Sequence, residues 1–137
     1  MTYAIAAALQ TAIYTRLTAD PALAAITGPA IYDALPAGPL PPLYVLLGQE
    51  EVRDASDQTG FGADHAISIL VLSEASGFAS AKAAAAAICD ALLGAALPLT
   101  RGTLVSLNFT KAKAARTNTA NQRQITLIFR ARVADDV

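Results

Sequence analysis

The stretch that decides the fold is Leu104–Val133, LVSLNFTKAKAARTNTANQRQITLIFRARV. Val105, Leu107 and Phe109 alternate with Ser106, Asn108 and Thr110, the two-residue period of a strand with one buried face. Further on, Ile125, Leu127, Phe129, Ala131 and Val133 alternate with Gln124, Thr126, Arg130 and Arg132, with Ile128 the exception. Thr117-Asn118-Thr119-Ala120-Asn121 is the turn between them, so the stretch reads as a β-hairpin. Paired from Leu104 to Val133, each arm would be on the order of 35–45 Å at ~3.4 Å per residue, long for so small a chain. Apolar alternation stops between Lys111 and Arg123, where Lys111, Lys113, Arg116 and Arg123 gather positive charge. That distal part is expected to project from the body and touch something else.

Before the hairpin, Ser76 can cap a helix from about Gly77 to Leu93, with Phe78, Ala81, Ala85, Ile88, Cys89 and Leu92 on one stripe. Its other side is mostly alanine, so it reads as covered on more than one face, and Gly94 and Pro98 end it. Residues 64–73 form a strand with His65, Ile67, Ile69 and Val71 on one face. The run Leu43–Leu47 is continuously apolar and reads as a strand buried on both faces, continuing into the polar Gln49–Arg53. Between these two strands, residues 54–63 (DASDQTGFGA) are rich in turn formers, with Phe61 flanked by glycines. At the start, Ile5, Leu9, Ile13 and Leu17 recur every four residues, so residues 3–19 read as an amphipathic helix. Asp20-Pro21 then supplies an N-cap and a first-turn proline for a short second helix. The fold class expected is α+β: a largely antiparallel twisted sheet of four to five strands, two main helices on one face, and a long C-terminal hairpin. No internal repeat or linker interrupts the pattern, so residues 1–137 read as one domain.

Composition sets limits on chemistry. Of the 137 residues, 54% are hydrophobic and only 15% charged, which excludes disorder. The apolar excess is alanine, 32 residues, with no Trp, so close helix packing or subunit contact is expected in place of a bulky core. One cysteine, Cys89, excludes an internal disulfide and any CxxC motif, and one histidine, His65, excludes HExxH and paired-His metal sites. There is no basic n-region ahead of the opening apolar residues, so they are not a signal peptide. The longest uncharged run, Ala34–Gln49, contains four prolines and cannot cross a bilayer as a helix. Net charge is −1, yet residues 1–75 sum to −6 and residues 76–137 to +5. The asymmetry reads either as chance clustering on solvated faces or as surfaces for partners.

Catalytic patterns are not supported. Asp64 and His65 are neighbours in a strand and point to opposite faces, so they cannot form an Asp–His relay, and His65 is expected at a sheet end or contact surface. Cys89, on an apolar stripe, packs as a small hydrophobe. Glu50, Glu51, Asp54 and Asp57 match no EF-hand spacing and read as solvated carboxylates. Phe61 with its glycines forms neither a P-loop nor GxGxxG. The cationic tip is open to phosphates or to an acidic protein surface, and it lacks the aromatics that stack single strands. No metal and no cofactor is expected, nor an enzyme.

Several segments together resemble the tail terminators, or tail-completion proteins, of long-tailed phages with non-contractile tails and of the related bacterial gene transfer agents. They are ALQTAIYTRLTADPAL (8–23), IYDALP (31–36), PPLYVLLGQEEVRD (41–54), SGFASAKAAAAAI (76–88), LVSLNFTKAKAART (104–117) and QRQITLIFRARV (122–133). The resemblance implies a small subunit that assembles into a hexameric ring on the last ring of the tail tube protein. Such a ring stops tail polymerisation and joins the tail to a head-side stopper or neck protein. DNA would pass through its channel without sequence-specific binding. Its place would be the cytoplasm of the producing cell during assembly and then the neck of the particle. Contacts are expected from Arg53, Asp54 and Phe61 in the first loop region, and from Lys111, Lys113, Arg116 and Arg123 on the hairpin. The alternatives are another head–tail connector such as the stopper, or a small ligand-binding or enzymatic α+β domain.

Overall fold

Leu9, Ile13 and Leu17 are fully buried along one side of α1 (Ala6–Ala19), and Ile5 at its N-cap is buried in line with them, as their spacing requires. A computed structural model describes residues 3–56, 61–74, 78–94, 96–117 and 122–135, with only the backbone of Phe61. Asp20 ends α1 and caps α2 (Pro21–Thr27): its Oδ2 accepts the Leu23 N–H at 2.9 Å, and Pro21 fills the first turn. Two-residue β1 (Ile31–Tyr32) leads through a proline-rich connection to β2 (Leu43–Asp54) and β3 (Phe61–Ser73). Then come α3 (Ala79–Leu93), β4 (Thr103–Arg116) and β5 (Arg123–Asp135).

The sheet order is β1-β2-β3-β5-β4. Every pair is antiparallel except β1 with β2, so the α+β expectation holds with five strands. The three helices lie on one face. There, Ile67, Ile69 and Val71 of β3 meet Ile125, Leu127, Phe129, Ala131 and Val133 of β5 beneath Leu9, Ile13, Leu23, Ile88 and Leu92. Burying Phe129 or one of these valine, leucine or isoleucine side chains contributes about 1.5–3 kcal/mol. The alanines act as spacers: Ala81, Ala84, Ala85, Ala87 and Ala91 are all buried on α3, which touches both other helices and β3, β4 and β5. Arg16 of α1 bolts the two long helices together, its guanidinium donating to the carbonyls of Ala91 (3.1 Å) and Ala96 (2.7 Å).

Four readings of the sequence change. The Leu43–Leu47 strand is not buried throughout: Tyr44 and Val45 are, while Leu43, Leu46 and Leu47 are half-exposed, because only short β1 lies beyond it. On its second face Tyr44 packs in a small cluster with Leu72 of β3, Tyr32 of β1, and Ala30 and Leu40 from the flanking connections, with no helix contributing. α3 starts at Ala79 with Phe78 at the N-cap and no side-chain cap, and Ser76 lies outside the described residues. In β4 the expected common buried face of Val105, Leu107 and Phe109 holds only for Leu107, which packs partly buried against the core, while Val105 and Phe109 are exposed. A register shift between Leu104 and Ser106 turns Leu104 and Leu107 toward the helix side and leaves Val105 59% exposed.

Finally, the hairpin does not project over the described residues. β5 pairs with β3 along its length, from Phe61 opposite Asp135 to Ser73 opposite Arg123, and β4 follows it to Arg116. Its arms are long because β2 and β3 are equally long. Residues 118–121 at its tip lie outside the described residues.

Candidate assembly surface

Strand register decides which side chains share a surface, since residues directly opposite in a ladder point the same way. His65, Ile67, Ile69 and Val71 define the helix side; Asp64, Ala66, Ser68 and Leu70 define the other, which no helix covers among the described residues. Onto that open face register brings Glu51 and Arg53 from β2, Arg130 and Arg132 from β5, and Lys111 and Lys113 from β4. The result is a cation-rich face. Arg130 pairs with Asp64 at 2.6 Å, Arg53 lies 3.5 Å from Glu51, and Arg132 donates to the Ala55 carbonyl at 3.4 Å. Lys111 and Lys113 are exposed and make no ion pair among the described residues.

The seven residues singled out in the sequence therefore separate. Arg53, Lys111 and Lys113 come together on the open face. Asp54 and Arg116 fall on the helix side, each the last residue of its strand and so at opposite ends of the sheet. Asp54 starts the loop: its Oδ1 accepts from the Ser56 hydroxyl (2.7 Å) and backbone N–H (3.1 Å), and these bonds hold its carboxyl below the usual range. Arg123 is buried, its guanidinium over the Phe78 ring at 5.2 Å. Phe61 begins β3 opposite Asp135, and its side chain lies outside the described part. Arg130 and Arg132 belong to the cationic face although their alternation in the sequence marked them only as polar. The signal was there: two arginines two apart in a strand share a face.

A second polar cluster sits on the helix side. His65 is completely buried, not at a contact surface, with Nδ1 3.0 Å from Glu50 Oε2. Tyr3 stacks over the imidazole, centroids 6.5 Å apart, and its hydroxyl donates to Glu50 Oε1 at 2.7 Å. That bond, and the carboxylate charge behind it, push the Tyr3 phenol up from its ordinary pKa. Glu50 and Glu51 face opposite sides, and no group of three His, Cys, Asp or Glu gathers among the described residues. Burial raises the Cys89 thiol, with Asp90 adding to it, which is the reverse of what a nucleophile needs.

Beside β4 a groove of about 730 Å³ runs between the end of α3 and the strand, lined mainly by Leu92, Leu97, Leu99, Leu104 and Leu107. Next to it Phe109, 45% exposed, packs edge-on against Phe129 at 5.9 Å. No described helix is long and apolar enough to cross a membrane.

A comparison with curated proteins finds no match. Among solved structures, the chain is similar to one from the virion of a native gene transfer agent (GTA) particle. The two are 58% identical with a TM-score of 0.92, over 97% of this chain and 99% of the other. The family model described as tail completion protein gp17 matches residues 11–134. An α+β subunit with a one-sided helical layer and a cationic open face thus belongs to the tail completion protein gp17 family, and is a phage tail structural protein.

Proposed function

We propose that the chain is a tail terminator: a ring-forming subunit that caps the tail tube, stops its polymerisation and joins it to the head-side neck. The observation that carries this reading is the near-complete superposition on a chain of a gene transfer agent virion at 58% identity. Residues 1–137 act as one domain, six copies make the ring, and DNA passes through its channel without base recognition. The subunit is made in the cytoplasm and ends in the neck of the particle. No catalytic step belongs to this role.

The contact residues we assign are Arg53, Lys111 and Lys113 on the open face, with Asp54, Phe61 and Arg116 at the strand ends. Arg123 supports them from within the subunit. A ring needs a heterologous contact, one patch meeting a different one, and the −6 and +5 halves of the sequence suit it.

Deleting the chain from producing cells and measuring tails by electron microscopy tests the role. Overlong tails detached from heads are expected. Tails of normal length joined to heads would overturn it, and density for the chain on the head side of another ring would favour the stopper.

A further inference from the structure

We infer that neighbouring copies join edge to edge: the outer edge of β4 pairs antiparallel with the outer edge of residues 47–54 of β2 in the next copy. This rests on the ring reading above and names its interface. Topology leaves two free edges. Among the described residues β4 has only β5 beside it, and β1 covers β2 only at Val45 and Leu46, so Leu47–Asp54 has only β3 beside it. Each edge presents a row of backbone N–H and C=O groups ready to accept another strand. On β4 the exposed Val105 and Phe109 add apolar surface to cover.

Strand direction suits the pairing. Because β2–β3, β3–β5 and β5–β4 are all antiparallel, β2 and β4 run in opposite directions. Rotating one copy about an axis along the strands sets β4 antiparallel to the next β2, so the alternation continues unbroken between copies. Height matches too. Through the ladders Leu47 is level with Ala112 and Asp54 with Leu104, so the free part of β2 faces the middle of β4.

Charge selects this partner over others. β2 carries Glu50, Glu51 and Asp54 against a single Arg53, whereas β4 carries Lys111, Lys113 and Arg116 and no acid. Two β4 edges would oppose lysines to lysines, which disfavours a two-fold dimer and leaves the head-to-tail contact that closes rings. Glu51 shares the open face with Asn108, Lys111 and Lys113 and is level with Asn108.

The test co-produces two single-cysteine forms in cells making particles, both in a Cys89→Ser background. One carries Glu51→Cys; the other carries Asn108→Cys, Lys111→Cys or Lys113→Cys, which covers the registers that keep both thiols on the open face. After mild oxidation of purified particles, disulfide-linked pairs containing one copy of each form are expected for at least one of the three. Rings without such mixed pairs, or with pairs only between like forms, overturn edge pairing and leave the ring reading intact. Particles that contain the chain but no ring overturn both. Should the variants fail to assemble, carbodiimide coupling of unmodified particles replaces them. Peptides joining Lys111 or Lys113 to Glu51 of another copy, which shares their face, support the contact, and their absence from the digest overturns it.

Discussion

Glu50 Oε2 lies 3.0 Å from Nδ1 of His65, a contact created by a slip in register. Leu47 pairs with Ile69, but the next pair is Glu50 with Ile67, so β2 holds one extra residue there. A one-residue slip moves the following side chains to the opposite face. It carries Glu50 and Val52 to the helix side, where an uninterrupted strand would have put Glu51.

Glu50→Ala removes the carboxylate and leaves a buried imidazole nitrogen without it. Loss of a buried hydrogen-bond partner costs about 1–3 kcal/mol. Urea denaturation should show that loss with an unchanged slope, and Glu51→Ala, on the open face, should show little.

On α3, Ala84 has no exposed surface and leaves the helix close to its neighbours. Ala84→Leu forces extra methyl and methylene groups into a filled space, a cost of about 1–3 kcal/mol. Ala83→Leu, on the exposed side of the same helix, is the control and should unfold at nearly the wild-type denaturant concentration.

Gly102 turns the chain into β4 with φ +72°, and a Cβ there would meet the Ala134 carbonyl and Ile5 Cδ1, each at 2.6 Å. Gly102→Ala should therefore destabilise by about 1–3 kcal/mol, from left-handed strain alone, with the clash adding to it. Thermal melting reads the change, and Gly38→Ala, also at positive φ but with open space around it, should cost less.

Asp54 has its carboxyl held low by the two bonds from Ser56. A depressed folded pKa contributes stability above the unfolded value, near 3.9, and that contribution is lost as pH falls through the folded one. Ser56→Ala should move the Asp54 carboxyl resonance titration upward in NMR. The Ser56 backbone N–H bond survives in the variant, so an unchanged midpoint would mean that the hydroxyl is not the cause.

Much of this fold was readable because it is written in local periodicity. The four-residue spacing of Ile5, Leu9, Ile13 and Leu17, the Asp20-Pro21 cap, and the alternation of Ile125 to Val133 each declare an element and its buried face without reference to the rest of the chain. What stayed hidden depends on pairing between distant residues. Nothing near Glu50 announces the extra residue that brings it to His65. Nor does anything near Phe109 say that its strand lies at an edge, where the helices reach it only in part. Arg123 looked like a surface cation because its neighbours are polar, but opposite Ser73 it meets Phe78. Lys111 and Lys113 kept their expected exposure, since nothing apolar flanks them beyond alanine.

The position of β5 also shapes how the chain acquires its structure. Among the described residues this strand comes last in sequence yet lies in the middle of the sheet, between β3 and β4. Until it emerges from the ribosome, Ile67, Ile69 and Val71 have a partner strand on one flank only, and β4 has none. Such a long-range closure slows folding. It also makes a chain cut short before Arg123 a sticky fragment for proteases and chaperones to remove. Synthesis and folding are thereby linked: the sheet closes only once β5 is complete, and a chain that stops short of it is left without its central ladder.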